Sequence, residues 1–145
     1  GCYCAANSLL ARFMDQLTGN YPYLVMDNEA GMEHISRLTT RNVDILLIVA
    51  DASRRGLQAG LRINELVKNL PIGVARTCLM INQAKAEPPE AVMEIIRKAD
   101  LEYVGTVFED DTLYAYDLNG QPTIEMPLDT PVVTSAFAIF DKLIV

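Results

Sequence analysis

Basic residues are scarce in this chain. Only 12 Lys and Arg stand against 19 Asp and Glu over 145 residues, a net charge of −7 and an isoelectric point near 4.6. Phosphate backbones are held by clustered Lys and Arg, so this balance argues against nucleic acid as a partner. No apolar run reaches the ~18 residues that a membrane-spanning helix needs, so no membrane partner is expected. No basic segment followed by an apolar one opens the chain, so a secretion signal is not expected either. Cysteine is sparse and odd in number, with three residues. In an acidic chain without a signal, that count favours a reducing cytoplasm over a disulfide framework. Internal repeats and low-complexity segments are missing. So is the motif G-x-x-x-x-G-K-[ST], whose backbone N–H groups and Lys cradle nucleotide phosphates. Gly56, Gly60 and Gly73 sit in or after an expected helix and do not supply that context.

What is present is a core. Half of the residues are apolar, and 145 residues suit one domain. Asn7 or Ser8 is placed to cap a helix running to Gln16 or Leu17, with Leu9, Leu10, Phe13, Met14 and Leu17 at helical spacing. Tyr23–Asn28 reads as a short apolar strand ending on Asp27, and Gly31–Thr40 as a loop and short helix. Asp44–Ala50, DILLIVA, has the continuous branched character of a strand covered on both faces. Ser53 caps a helix to about Leu70 with Leu57, Leu61, Leu66 and Leu70 inward, and Pro71 and Gly73 stop it. Arg76–Asn82 is a further buried strand. Pro88-Pro89 opens a helix containing Val92, Ile95 and Ile96. Glu102–Val107 is a fourth strand and Leu113–Leu118 a short helix. A polar stretch carries a turn, and Pro131 starts a last helix to about Leu143. Strands alternating with helices at roughly 20–30 residue spacing mean βαβ units and a mostly parallel sheet flanked by helices, an α/β fold.

In such sheets ligands bind beyond the carboxyl ends of the strands. That rule selects Asp27, Asp51 and Asn82, each at or just past an expected strand tip. A carboxylate such as Asp27 can hold magnesium directly or through water, and Gly31 leaves room for a backbone N–H to reach a phosphate. The Asn82 amide offers one acceptor and two donors, which match the N6 and N7 edge of adenine. A polar residue simply leaving a strand explains Asp27 and Asn82 equally well at this level. Cys2 and Cys4, two residues apart, project both thiols one way on an extended segment. Two thiolates are half of a tetrahedral four-sulfur site, and a two-fold dimer would supply the rest. Soft thiolates suit zinc, nickel or copper(I), although a redox pair or two ordinary thiols fit the same spacing. Cys78 reads as a small buried hydrophobe, His34 as a helix-start or solvent-facing residue, and Glu109-Asp110-Asp111 as a solvated helix start.

GCYCAANSLLARF, then YLVMDNEAGMEHISRLTTRNVDILLIVADASRRGL, then LMINQ resemble the nickel-handling ATPase accessory proteins of carbon monoxide dehydrogenase, the CooC type. These belong to the wider MinD/ParA-like group of dimeric P-loop ATPases. The resemblance covers nearly the whole chain, and its most specific parts are Cys-x-Cys and DNEAGMEH. It implies ATP and magnesium as cofactors, with Asp27 as the Walker B acid and Gly31 in the switch loop. It implies Asn82 at the adenine, with Phe108 and Glu109 in a second base-contacting loop, where the group often has Pro at the position of Phe108. It implies nickel or zinc on Cys2 and Cys4 across a homodimer, and the apo-enzyme of carbon monoxide dehydrogenase as partner. It also places the phosphate loop upstream of the cysteines. The expectation is therefore the C-terminal portion of one ATPase domain, lacking its first βα unit and inactive alone. A positioning or partition ATPase of the same group is the alternative. A flavodoxin- or receiver-like binding module, with Lys85 after a strand, is a third and leaves the Cys pair unexplained.

Overall fold

The computed structural model describes residues 9, 12–14, 16–17, 19–28, 42–70 and 73–144. Cys2, Cys4, Gly31 and His34, and the expected loop and helix over 31–40, lie outside the described residues. The elements in chain order are β1 (Asn42–Asp51), α1 (Arg54–Asn69), β2 (Gly73–Ala84), α2 (Glu90–Lys98), β3 (Glu102–Phe108), α3 (Asp111–Leu118), a 3-10 turn (Thr123–Glu125) and α4 (Pro131–Leu143). The three strands form one parallel sheet in the order β1-β2-β3.

Side chains alternate across the strands and so build two cores. On one face Cys78, Met80, Val104 and Val107 meet Val132, Ile139 and Leu143 of α4, with Ile45 and Leu47 of β1 against them. On the other, Ile48, Ala50, Leu79 and Ile81 meet Ile96 and the flanks of α1 and α2. Helices thus cover both faces, which is why β1 and β2 read as unbroken apolar runs. Cys78 is fully buried, as expected of a small hydrophobe, and its thiol is pushed up by burial and by Glu102 beside it. Met126, inside the polar stretch before α4, is also part of the core, so that stretch is anchored.

Three local readings change in the structure. Tyr23–Asn28 is not a strand: its backbone is irregular, and Tyr23 and Val25 are 60% and 82% exposed. A strand exists only in a ladder, and among the described residues this segment has none to join. The inner stripe of α1 is centred on Gly60, Asn64 and Val67, with Leu57 and Leu61 at its margin. Gly60 permits this, because a Cβ there would already lie 3.4 Å from Ile48 and Leu79. Asn64 then donates from Nδ2 to the Ala99 carbonyl at 2.9 Å, while Lys68 Nζ reaches the same oxygen at 3.1 Å. These bonds occupy a carbonyl at the end of α2 that its own helix leaves free. In α2, Ile96 alone is fully buried, and Ile95 is half exposed.

Candidate site at the carboxyl edge of the sheet

The chain turns after β1 at Asp51, whose Oδ1 accepts from the Ser53 N–H at 2.7 Å. Ser53 in turn caps α1 by accepting from the Gly56 N–H at 3.0 Å. The Ser53 hydroxyl and amide hold the Asp51 carboxyl below the usual carboxylate range. In the parallel register Asp51 lies opposite Asn82, which brings these two tip residues side by side. The Asn82 side chain is half-buried and makes no hydrogen bond among the described residues, so its donors and acceptor are available.

Beyond Asn82 the backbone is unusual. Gln83 has φ +55, a left-handed conformation rare outside glycine. Ala84 then returns to the ladder opposite Phe108, and the Glu109 N–H donates to the Ala84 carbonyl at 3.0 Å. Lys85 Nζ lies 3.9 Å from Glu109. Desolvation pushes the Asp110 carboxyl up, but the amides of Leu113, Thr112 and Val132 outweigh it and hold it low. Asp110 thereby caps α3, accepting from Thr112 at 2.8 Å and Leu113 at 3.2 Å.

Asn82, Phe108 and Glu109 are therefore gathered on one edge, and Asp51 joins them. Asp27 is not drawn into the group: it is exposed, in irregular backbone, with no hydrogen bond or ion pair to the strand tips among the described residues. Sequence reasoning overlooked Gln83, and no composition or periodicity signal marks a positive φ at glutamine. The edge carries Asp51, Glu109, Asp110 and Asp111 against Lys85. That charge does not suit phosphates, whereas a free amide between strand tips suits a neutral planar base. No group of three or more His, Cys, Asp or Glu able to hold a metal occurs among the described residues.

The three-strand parallel sheet with these crossovers superposes on the MinD cell division protein of Aquifex aeolicus with a TM-score of 0.75, covering 94% of this chain and 60% of that one at 19% identity. A ParA family ATPase from Chlorobium tepidum gives 0.75 over 94% of this chain and 56% of that one at 17% identity. The fold is that of the MinD and ParA ATPases. Sequence relatives are ATP-binding proteins. An uncharacterized ATP-binding protein of Methanocaldococcus jannaschii is 34% identical over 99% of this chain and 57% of its own length. The carbon monoxide dehydrogenase accessory protein CooC of Rhodospirillum rubrum is 32% identical over 83% of this chain and 45% of its own length. The chain thus spans about half the length of these relatives. No family model matches it. No helix among the described residues is long and apolar enough to cross a membrane.

Proposed function

We propose that this chain is the base-binding and switch portion of a CooC-type member of the MinD/ParA-like group, a P-loop ATPase that delivers nickel or zinc to carbon monoxide dehydrogenase. The observation that carries the nucleotide half is the free Asn82 amide, held between Asp51 and the Ala84–Phe108 junction at the carboxyl edge of a MinD-type sheet. In this reading Asn82 reads the adenine edge, while Phe108 and Glu109 form the facing rim. Asp27 holds magnesium, Gly31 meets the terminal phosphate, and a phosphate loop in a segment outside these 145 residues supplies the cradle. Bound ATP and magnesium would supply the hydrolysable anhydride. The residues of this chain orient the base and sense the phosphate.

Cys2 and Cys4, paired with the same residues of a second copy, would hold the metal cargo through four thiolates. ATP can drive closure of the dimer only by binding the closed state more tightly, so the metal site would tighten with nucleotide. The 32% identity to CooC supports an accessory role toward carbon monoxide dehydrogenase, and the cargo itself is proposed from the thiol pair. The fold alone equally accommodates a positioning or partition ATPase, which has no need of the thiol pair.

A metal titration with thiol counting separates the two. About one nickel or zinc ion per two chains, lost in a Cys2→Ser, Cys4→Ser variant of the complete protein, is the expected result. Unchanged metal retention by that variant would remove the cargo assignment. The 145-residue chain alone should hydrolyse no ATP, and turnover at the rate of the complete protein would contradict the external cradle.

A further inference from the structure

The ladder between β2 and β3 slips twice. Leu79 pairs with Tyr103 and Met80 with Gly105, so β3 carries one extra residue there. Ile81 pairs with Thr106 and Ala84 with Phe108, three steps on β2 against two on β3, so β2 carries the next extra residue. The second slip restores the register lost at the first. Between them the side-chain alternation of β3 is shifted: Val104 and Val107, three residues apart, both enter the α4-side core. On an unbroken strand such a pair would face opposite ways. Tyr103 and Thr106, also three apart, likewise come together, and their hydroxyls lie within hydrogen-bonding reach of each other.

Both hydroxyls converge on one carboxylate. Tyr103 donates to Glu87 Oε2 at 2.7 Å and Thr106 to the same oxygen at 2.9 Å. Thr106 is 4% exposed, so its hydroxyl depends on these protein partners. Glu87 lies in the connection from β2 to α2, shortly after Asn82, Gln83 and Ala84. The side chains therefore tie that connection to β3 where the backbone ladder is interrupted. Bulges beside functional sites commonly re-aim a strand in this way.

We infer that Glu87, Tyr103 and Thr106 are positioning residues for the base rim: their hydrogen bonds lock the Gln83 kink and so hold Asn82 at a set distance from Phe108 and Glu109. The inference rests on the base-site reading above. None of the three need touch the nucleotide. The Glu109-to-Ala84 backbone bond and the Lys85–Glu109 contact bridge the same gap farther out.

The test uses the complete ATP-binding protein and two probes, ATP and inorganic tripolyphosphate. Tyr103→Phe and Glu87→Ala should each weaken ATP about fivefold, the worth of a hydrogen bond or so, and leave tripolyphosphate unchanged. Glu87→Gln keeps an acceptor oxygen and should restore most of the loss. Amide exchange should quicken at Gln83–Lys85 and Glu109 while β1 keeps its protection. Wild-type ATP affinity in both variants would overturn the inference, as would equal losses for ATP and tripolyphosphate. If the unaltered protein gains nothing from adenosine over tripolyphosphate, the base-site reading fails instead. Exchange rates unchanged in both variants then sink the mechanical lock by themselves.

Discussion

Gly56 shows how a single atom can reverse an expectation. Replacing a helical glycine with alanine ordinarily stabilises by about 1 kcal/mol. Here a Cβ would lie 2.5 Å from Asp51 Oδ1 and 2.8 Å from the Asp51 carbonyl oxygen. The carboxylate could swing aside only by releasing the Ser53 amide, and the backbone oxygen has no such freedom. Gly56→Ala should therefore destabilise by about 1 kcal/mol or more in urea unfolding, against its helix propensity. Tyr103 supplies a second check. Burial, offset in part by Thr106 and reinforced by the Glu87 charge, pushes its phenol from 10.0 up to about 12. A folded pKa above the unfolded one contributes stability that is fully present below pH ~10 and is lost as pH rises towards ~12. The wild type should lose unfolding free energy across that window, and Tyr103→Phe should show a shallower decline. Identical pH profiles would contradict the burial of this hydroxyl. The chemical type of Asn82 and its place after an apolar run were legible from residues alone. The left-handed Gln83 beside it was not, because local preference opposes that conformation and only the ladder on either side enforces it.

At the scale of elements, continuous apolar runs located β1 and β2, and helical spacing located α1, α2 and α4, because each has residues to bury. An apolar run also marked Tyr23–Asn28 as a strand, for the same reason, and there the backbone is irregular and exposed. Apolar pattern reports the wish to be covered, whereas a strand also requires an edge to bond. The register slips between β2 and β3 were invisible to pattern for a related reason: they depend on what docks above. Gly105 has φ +152, and a Cβ there would meet Ile139 of α4 at 2.7 Å. Gly105→Ala should cost about 2 kcal/mol, combining backbone strain with displacement of α4. The midpoint of chemical denaturation reads it, and an unchanged midpoint would mean that α4 does not press on β3 as described. The loss should be larger than for alanine placed at Gly120, whose added Cβ would meet nothing within 4 Å, although φ +64 there carries its own strain.

For the molecule as a whole, a layered α/β domain follows from two apolar faces on one sheet. Its weak point is β1. This ten-residue strand pairs with β2 only, among the described residues, and its second edge runs along DILLIVA without a lysine, proline or bulge. Such an edge invites pairing with another chain. The 145-residue chain should therefore associate as its concentration rises. Val49→Lys, at a position already 53% exposed, should suppress this while leaving the cores intact. Sedimentation at several loadings reads the outcome, and a wild type that stays monomeric throughout would show that the edge is covered. The same edge is where the proposed phosphate-loop segment has room to add a strand.

By itself the amino-acid order determined the layering, the parallel sheet and the three strands that carry the edge, because burial periodicity is a local property of the chain. It also supplied Asn82 as a chemical candidate, whereas Phe108 and Glu109 entered only through the family resemblance. Only the tertiary structure decided that Asp51 and Asn82 stand abreast, that β3 slips and recovers against β2, and that Glu87 reaches two hydroxyls from another strand. Those contacts join residues distant in sequence, and their geometry is set by how strands register and helices press, which no local pattern encodes.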